Sequence, residues 1–418
     1  MSKYPTYKLG EIITDAIGGD WGKDPGIQDE SYELAYCIRG AEYKNWADDN
    51  GSTAVLRKIK CTNLQKRQLK EGDIIVEISG GGPEQPVGRT EVITKKVMSN
   101  FKGSKVLCTN FLRLIRPNAE LVDSVFLNHY LKFFYSTGEI IKYQAGSNNL
   151  RNLKFNDYLT LLIPLPPLST QHAIVTRIET LFAELDKAVQ HLRTAQQQIK
   201  TYKQAVLNHW LNNEDGKWEM VKLGEVIEKP TYGTSKKCDY DIEGTGVLRI
   251  PNIGNGYIID DDLKFAVFSD EEKEKYSLKE GDLLTIRSNG SVDLVGKCAL
   301  VSSKEENYLF AGYLIRLRPM SSKVDSKYLI FTMESHYLRI QIEDKAKSTS
   351  GVNNINSVEI QNLEIPLPPL TEQQRIVNEI ELRLSQATAS ETYIENALQQ
   401  AEALRQSILK KAFSGELV

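Results

Sequence analysis

The sequence predicts an α+β protein: two similar mixed α/β globules separated by two long helices that form an antiparallel coiled coil. Three observations predict it. "IPLPPLSTQHAIVTRIE" (Ile163 to Glu179) returns almost unchanged as "IPLPPLTEQQRIVNEIE" (Ile365 to Glu381). The repetition extends over most of the chain, with "YKLGEII" at Tyr7 returning as "VKLGEVI" at Val221 and "LKEGDII" at Leu69 as "LKEGDLL" at Leu278. After each Pro-Leu-Pro-Pro, apolar residues fall at alternating steps of four and three, the spacing of a coiled coil.

Composition sets the frame. The chain has 418 residues, too many for one ordinary domain, with 41% hydrophobic and 26% charged residues, a globular balance. It lacks any apolar run of about 18 residues, and the N-terminus "MSKYPTYKLGEII" lacks a signal-peptide core. Five cysteines (Cys37, Cys61, Cys108, Cys238, Cys298), odd in number and never spaced C-x-x-C, read as free thiols in a reducing cytoplasm. The net charge of −3 means that a bound polyanion must be met by locally arranged positive charge.

Each copy carries the same order of signals. A K-L-G-E turn or strand opens it. "GDIIVEISGGG" and "GDLLTIRSNG" are β-favouring runs ended by glycine. "NFLRLIRP" and "GYLIRLRP" are strands closed by proline, followed by the helices "SVFLNHYLKFF" and "SKYLIFTMES" and a polar Asn/Ser loop. "PVGRT" at Pro86 echoes "LVGKC" at Leu294. The repeat period falls from 221 − 7 = 214 to 365 − 163 = 202, so the copies differ by loop deletions in their first parts. A period near two hundred residues means two domains of one architecture rather than a solenoid. The expected divisions are residues 1–162 and 216–364 for the globules, with 163–215 and 365–418 for the helical regions.

Proline stops the strand before each helix, and Ser169 and Thr371 are expected as N-caps. The first stripe runs through Ile174, Ile178, Leu181, Leu185, Ala188, Leu192, Ala195, Ile199, Tyr202 and Val206. The second runs through Ile376, Ile380, Leu384, Ala387, Ile394, Ala397, Ala401, Leu404 and Ile408, with Arg383 and Ser390 as polar interruptions. The seam is expected to consist of Ile174, Ile178, Leu181, Leu185, Leu192, Ile199 and Val206 against Ile376, Ile380, Leu384, Ile394, Leu404 and Ile408. A first helix over 170–212 is roughly 65 Å long. Each helix needs a partner for its stripe, and the other helix supplies it, as a rod holding one globule near each end.

Catalytic motifs fail on their spacing. "GSVDLVGKC" (Gly290 to Cys298) resembles a phosphate loop, but five residues separate its glycines and Cys298 stands where a Ser or Thr must meet magnesium. "SGGGPEQP" does not fit G-x-G-x-x-G, and "LPPL" lacks the polar and aromatic neighbours of an adenine methyltransferase loop. His129, His172, His191, His209 and His336 are scattered, and no metal or hydrolase signature is present.

Two globules on a two-helix frame describe a device for reading two sites. The doubled "IPLPPL-x-x-Q-x-x-IV", the doubled "KLGE" and "EGD" and the heptad helices resemble the specificity (S) subunit of type I restriction–modification systems along the full chain. The resemblance implies that each globule is a target recognition domain for one half of a bipartite double-stranded DNA site. It implies a chain that is not itself catalytic and holds no cofactor or metal. Two methyltransferase (M) subunits would dock on the helices and carry AdoMet, and restriction/translocase (R) subunits would use ATP and Mg, all in the cytoplasm. The competing class is a two-domain coiled-coil scaffold without a DNA role.

Direct readout needs polar and basic side chains on loops that follow strands. The candidates are Arg39, Tyr43, Lys44, Ser79, Arg89, Ser147, Asn148, Asn149 and Arg151 in the first domain. In the second they are Lys236, Lys237, Arg249, Asn252, Arg287, Ser288, Asn289, Asn353 and Asn354. The bland alternative for each is a solvated or turn-capping side chain. Arg113, Arg116, Arg316 and Arg318 read as surface charges beside strands.

Overall fold

The computed structural model describes residues 4–82, 85–146, 151–213, 215–346 and 351–418. It divides into two compact units, Met1–His191 with Ala397–Val418, and Leu192–Asn396. Both divisions fall inside the long helices, Leu168–Leu211 (α1) and Leu370–Ser414 (α2). No described helix is long and apolar enough to cross a membrane.

In the first unit, Thr6–Lys8 pairs antiparallel with Leu162–Pro164, so the globule begins and ends side by side. K-L-G-E then makes one 3-10 turn: Leu9 is fully buried and Glu11 accepts the Lys8 backbone N–H at 2.8 Å. An antiparallel sheet follows, in the order Ile13–Gly18, Leu112–Pro117, Ile74–Glu77, Thr90–Val92. A second sheet sets Tyr32–Ile38 antiparallel to Val55–Lys60 and parallel to Val106–Cys108. A third joins Gln144–Ala145, Arg151–Leu153 and Ser79–Gly81.

The second unit repeats this plan. Glu219–Lys222 pairs with Glu364–Leu367, and Glu225 accepts the Lys222 N–H at 3.1 Å. Thr231–Tyr232, Leu314–Leu317, Leu283–Ile286 and Cys298–Leu300 form the main sheet, to which this copy adds Gly256–Tyr257. Thr245–Leu248 lies between Lys264–Ala266 and its parallel neighbour Leu309–Phe310.

The shared motifs now have physical reasons. In E-G-D the glycine takes a left-handed conformation (Gly72 φ +86°, Gly281 φ +89°) that admits glycine at low cost. The aspartate after it accepts the backbone N–H of Lys70 or Lys279, both at 2.8 Å, and is gripped bidentately by Arg116 or Arg318 at 2.7–2.8 Å. Arg116 and Arg318 are therefore structural rather than loose surface charges. Arg316 is buried and donates to the Ser277 carbonyl and to Thr231, and Arg113 lies over the Phe155 ring at 4.3 Å. The glycine of P-V-G and L-V-G is also left-handed, and a Cβ there would meet Ile140 at 2.7 Å or Ile342 at 2.6 Å.

The glutamine of the doubled signature is fully buried in both copies. Gln171 accepts the Asp123 N–H (2.8 Å) and donates to the carbonyls of Leu121 (3.0 Å) and Pro166 (2.8 Å). Gln373 repeats this with Asp325, Lys323 and Pro368 at 2.8, 3.0 and 2.8 Å. Asp123 and Asp325 in turn cap the helices Ser124–Ser136 and Ser326–Glu334. Ser169 and Thr371 are not the N-caps: the Pro167 and Pro369 carbonyls accept the first intrahelical bonds, and both hydroxyl residues lie inside the first turn.

Within each unit the two helix segments run antiparallel. In the first, Ile174 and Ile178 share a core with Ile408, Leu409 and Ala412, and Phe413 packs on Phe126, Tyr130 and Phe133 at 5.1–5.6 Å. Arg405 pairs with Asp186 and covers the Phe182 ring at 4.5 Å. In the second, Val206, Leu207 and Leu211 share a core with Ile376, Val377 and Ile380, and Lys203 pairs with Glu391.

These contacts correct the stripe. Leu404 is half-exposed, as is Tyr202, and Ala188 faces solvent. The shielded positions beside them are Val189 and Lys203 on α1, and Leu398, Ala401 and Arg405 on α2. Arg383 and Ser390 lie outside the stripe, with Arg383 over the Trp210 ring at 5.8 Å. The polar members of the seam are instead the cross-helix ion pairs. Leu181, Leu192, Ile199 and Leu384 are partly buried, while Ile174, Ile178, Leu185, Val206, Ile376, Ile380, Ile394 and Ile408 are buried.

This register is testable. Ile408→Ala should lower the unfolding free energy by about 2–5 kcal/mol, and Leu404→Lys should change it by less than about 0.5 kcal/mol. Chemical unfolding of both variants decides it. Equal destabilisation by the two would return Leu404 to the seam.

Candidate nucleic-acid interface

Each unit carries one cleft at the same place in the repeated fold. In the first, two parallel strands, Tyr32–Ile38 and Val106–Cys108, end side by side. The residues just after them, Arg39 to Ala41 and Thr109 to Phe111, form two walls of a cleft of about 740 Å³. Glu77, Ser79, Gly80, Gln85 and Arg89 close it from the main sheet, with Trp21 and Lys44 at its edges. In the second unit the parallel pair Thr245–Leu248 and Leu309–Phe310 ends in the same way. There Arg249 to Pro251 and Ala311 to Tyr313 make the walls of a cleft of about 630 Å³. Ser235, Lys236, Lys264, Arg287 and Ser288 complete it.

Three side chains occupy matched positions: Arg39 and Arg249, Ser79 and Ser288, Phe111 and Tyr313. The aromatic pair is exposed, at 50% and 64%. Such rings at the lip of a basic cleft offer faces for base or sugar contact.

The arginines are held in place. Nε and Nη2 of Arg39 both donate to Glu42, a buried carboxylate that also accepts the Arg39 backbone N–H. Arg89 is bound bidentately to buried Glu77 at 2.8 and 2.6 Å and lies over the Tyr43 ring at 5.3 Å. These carboxylates raise both guanidinium pKa values above the ordinary range, so the charges are permanent. Arg249 donates from Nη2 to the Asp262 carbonyl (2.9 Å) and carboxylate (3.0 Å), and it faces the Tyr240 ring at 5.9 Å. Lys236 reaches Glu272 at 2.7 Å. Lys44, Lys264 and Arg287 have no carboxylate partner among the described residues; Lys264 lies over Tyr240 at 4.7 Å and Arg287 over Tyr232 at 4.8 Å.

Of the sequence candidates, Arg39, Lys44, Ser79 and Arg89 meet in the first cleft, and Lys236, Arg249, Arg287 and Ser288 in the second. Tyr43 does not belong: it is buried, and its hydroxyl donates to the Ile75 carbonyl at 2.9 Å. Asn252 is likewise buried, accepting the Arg249 N–H at 2.8 Å and donating to the Ile259 and Asp262 carbonyls at 2.8 and 3.1 Å. Asn289 and Asn353 face one another across a short strand pair and bond to the Ser291 N–H (2.9 Å) and the Gly290 carbonyl (3.1 Å). Asn354 accepts from Arg287 Nε at 3.4 Å, so it orients a cleft residue. Lys237 is exposed but does not line the cleft. Arg151 lies beside a smaller hollow and donates to the Gly146 carbonyl at 3.1 Å. Ser147, Asn148 and Asn149 lie outside the described residues.

Residue-type reasoning missed Trp21, Gln85, Phe111, Lys264 and Tyr313. Alignment of "TNFLRLIRP" with "AGYLIRLRP" held the signal for two of them, an aromatic kept one step before a buried strand. Among the described residues no group of His, Cys, Asp or Glu could hold a metal ion. What the clefts offer is fixed cations, hydroxyls and aromatic faces, a chemistry for binding a polyanion with bases.

This geometry defines a protein with two copies of one cleft-bearing fold, and comparison with known proteins gives its family. A family model described as type I restriction modification DNA specificity domain matches residues 2–192 and again 215–400. The chain belongs to that family. It is 28% identical to the type I restriction enzyme EcoKI specificity subunit of Escherichia coli (strain K12), over 98% of this chain and 88% of that one. To the StySPI specificity subunit of Salmonella potsdam it is 29% identical, over 99% and 89%. Its fold matches a solved chain from work on assembly and conformational transition of the type I R-M system, with TM-score 0.75, 22% identity and full coverage of both chains. The HsdS subunit from Thermoanaerobacter tengcongensis matches with TM-score 0.56 and 21% identity over 99% and 97%.

The buried acid–base pair of the first cleft has a measurable cost of disruption. Glu77→Ala strands a quarter-exposed Arg89 without its partner and should destabilise the protein by about 2–3 kcal/mol. Unfolding of this variant would show it, and an unchanged midpoint would mean that Glu77 does not hold Arg89.

Proposed function

We propose that each cleft reads one half of a bipartite duplex DNA site for a type I restriction–modification complex. Residues 1–162 and 216–364 act as the two target recognition domains, and 163–215 and 365–418 as the helical regions that carry the partners. Two methyltransferase subunits, which hold AdoMet, assemble on the α1–α2 frame, and restriction subunits using ATP and Mg join them. The chain itself supplies recognition and scaffolding. Arg39, Lys44, Ser79 and Arg89 serve one half-site; Lys236, Arg249, Arg287 and Ser288 serve the other.

One observation carries this reading. On a fold repeated within one chain, both clefts keep an arginine, a serine and an exposed aromatic at matched positions, while most other lining residues differ. Common positions suit a common ligand, and divergent ones suit two different sequences of it. A scaffold without a DNA role gives no reason for either.

Exchange of residues 216–364 for the matching segment of a relative tests it. With the methyltransferase partner present, mapped methyladenine should show one half of the site replaced and the other kept. Change in both halves, or retention of the parental site, would overturn the assignment.

A further inference from the structure

We infer that Arg39 reads a guanine in the first half-site and that Glu42 is the positioning residue that aims it, with Arg249 and Asp262 as the equivalent gripped pair of the second copy. This rests on the DNA-reading proposal above and deepens it. The two arginines follow equivalent strands and begin equivalent 3-10 turns, Gly40–Asn45 and Ile250–Asn252. In both turns the third residue's side chain accepts the arginine's own backbone N–H: Glu42 in the first, Asn252 in the second. Glu42 is long enough and charged, so it also grips the Arg39 guanidinium. Asn252 is too short for this and neutral, and Asp262, from another part of the chain, takes over the grip on Arg249.

The carboxylate thus changes its origin between the copies while the gripped arginine keeps its place. A merely structural ion pair, once its acid is lost from position 252, has no reason to be rebuilt from elsewhere around the same arginine. What is preserved is the presentation of a guanidinium into the cleft.

In both cases Nη1 carries no hydrogen bond among the described residues; Nη2 of Arg39 keeps a second N–H beyond the one Glu42 takes, whereas Nη2 of Arg249 gives one N–H to the Asp262 carboxylate and the other to its carbonyl. The Nη1–Nη2 edge of Arg39 is therefore the one offered to a ligand, while Arg249 offers Nη1 alone. Two parallel N–H donors at fixed spacing match O6 and N7 of guanine in the major groove, the only base edge there with two adjacent acceptors. Adenine presents a donor beside its acceptor and repels one of the two. Fixing the fork beforehand removes much of the rotamer entropy lost on binding, so preference is expressed as discrimination between bases rather than as general affinity.

The test uses the full chain with its methyltransferase partner and scores methylation over a library randomised across both half-sites. Arg39→Ala should lower preference for guanine about 5- to 150-fold at one position of one half-site, and Arg249→Ala, which removes no two-donor fork, should leave that position unchanged. Because Arg39→Ala leaves the buried Glu42 carboxylate alone, the paired variant Arg39→Ala/Glu42→Gln is read beside it. Glu42→Gln, which retains the arginine, should weaken the same preference by a smaller factor. Two results would overturn the assignment: loss of methylation by one common factor for all sequences, or relaxation at a base other than guanine. The triple variant Lys44→Ala/Ser79→Ala/Phe111→Ala separates this from failure of the cleft reading. If it leaves affinity and site unchanged, the first cleft does not meet DNA at all. If it weakens binding while Arg39→Ala relaxes no guanine, the cleft reading stands and the guanine assignment falls.

Discussion

The junction between each globule and its long helix depends on one buried carboxamide. Gln171 and Gln373 have no exposed surface, and each makes three hydrogen bonds, two as donor and one as acceptor. A primary amide is the side chain that can do this, because it offers donors and an acceptor from one planar group. The three bonds join the first turn of the long helix, the proline segment before it and the loop that caps the globule's main helix. Each such bond contributes about 1 kcal/mol net, but losing the amide would leave buried partners unsatisfied, which costs more. The apolar cores then continue without a break from sheet to helix, through Ile163, Ile174 and Phe126 in one unit and Ile365, Ile376 and Tyr328 in the other. The helix ends are therefore part of the globules' cores, and a coil formed by stripe residues alone would be an incomplete description.

On that shared base the clefts have separated chemically. In the first, Glu42 and Glu77 each neutralise an arginine, and Lys44 has no carboxylate partner among the described residues. The second has Ile286 in the strand where the first has Glu77; it pairs Arg249 with Asp262 and Lys236 with Glu272, and leaves Lys264 and Arg287 without carboxylate partners among the described residues. Fixed, paired arginines favour hydrogen-bond specificity, whereas unpaired cations favour phosphate contact and a stronger dependence on salt.

Much of the architecture was legible in the sequence because the chain contains its own comparison. Where K-L-G-E, E-G-D and Pro-Leu-Pro-Pro recur, a backbone requirement recurs: a capped turn, a left-handed glycine beside a buried aspartate, a strand stop. The seam was legible where it meets a globule, at Ile174, Ile178, Ile376 and Ile380, since large apolar residues mark it. It slipped at Tyr202 and Leu404 because apolarity alone cannot show that Lys203 and Arg405 face the partner helix as members of ion pairs. The clefts were legible in their arginines and serines but not in their boundaries. Tyr43 and Asn252 are polar, close to a true cleft residue and in short turns, yet a 3-10 turn rotates them inward to hydrogen bonds. Phe111 and Tyr313 stand at the heads of apolar strand sequences and are exposed, because the turn before each strand points them out.

Each globule also opens and closes on neighbouring strands, Tyr7 opposite Ile163 and Val221 opposite Ile365. The chain therefore leaves the frame and returns to it at nearly one point, and the residues at that point are the ones that read alike in both copies. At the level of the gene, the stretches of greatest likeness flank the parts that differ. Recombination between related genes, or between the two halves of one, would then find its matching DNA where a crossover hands over a complete core with its own cap, sheet and latch. A new sequence preference could be acquired in one such event, without passing through intermediates in which a half-altered cleft reads nothing.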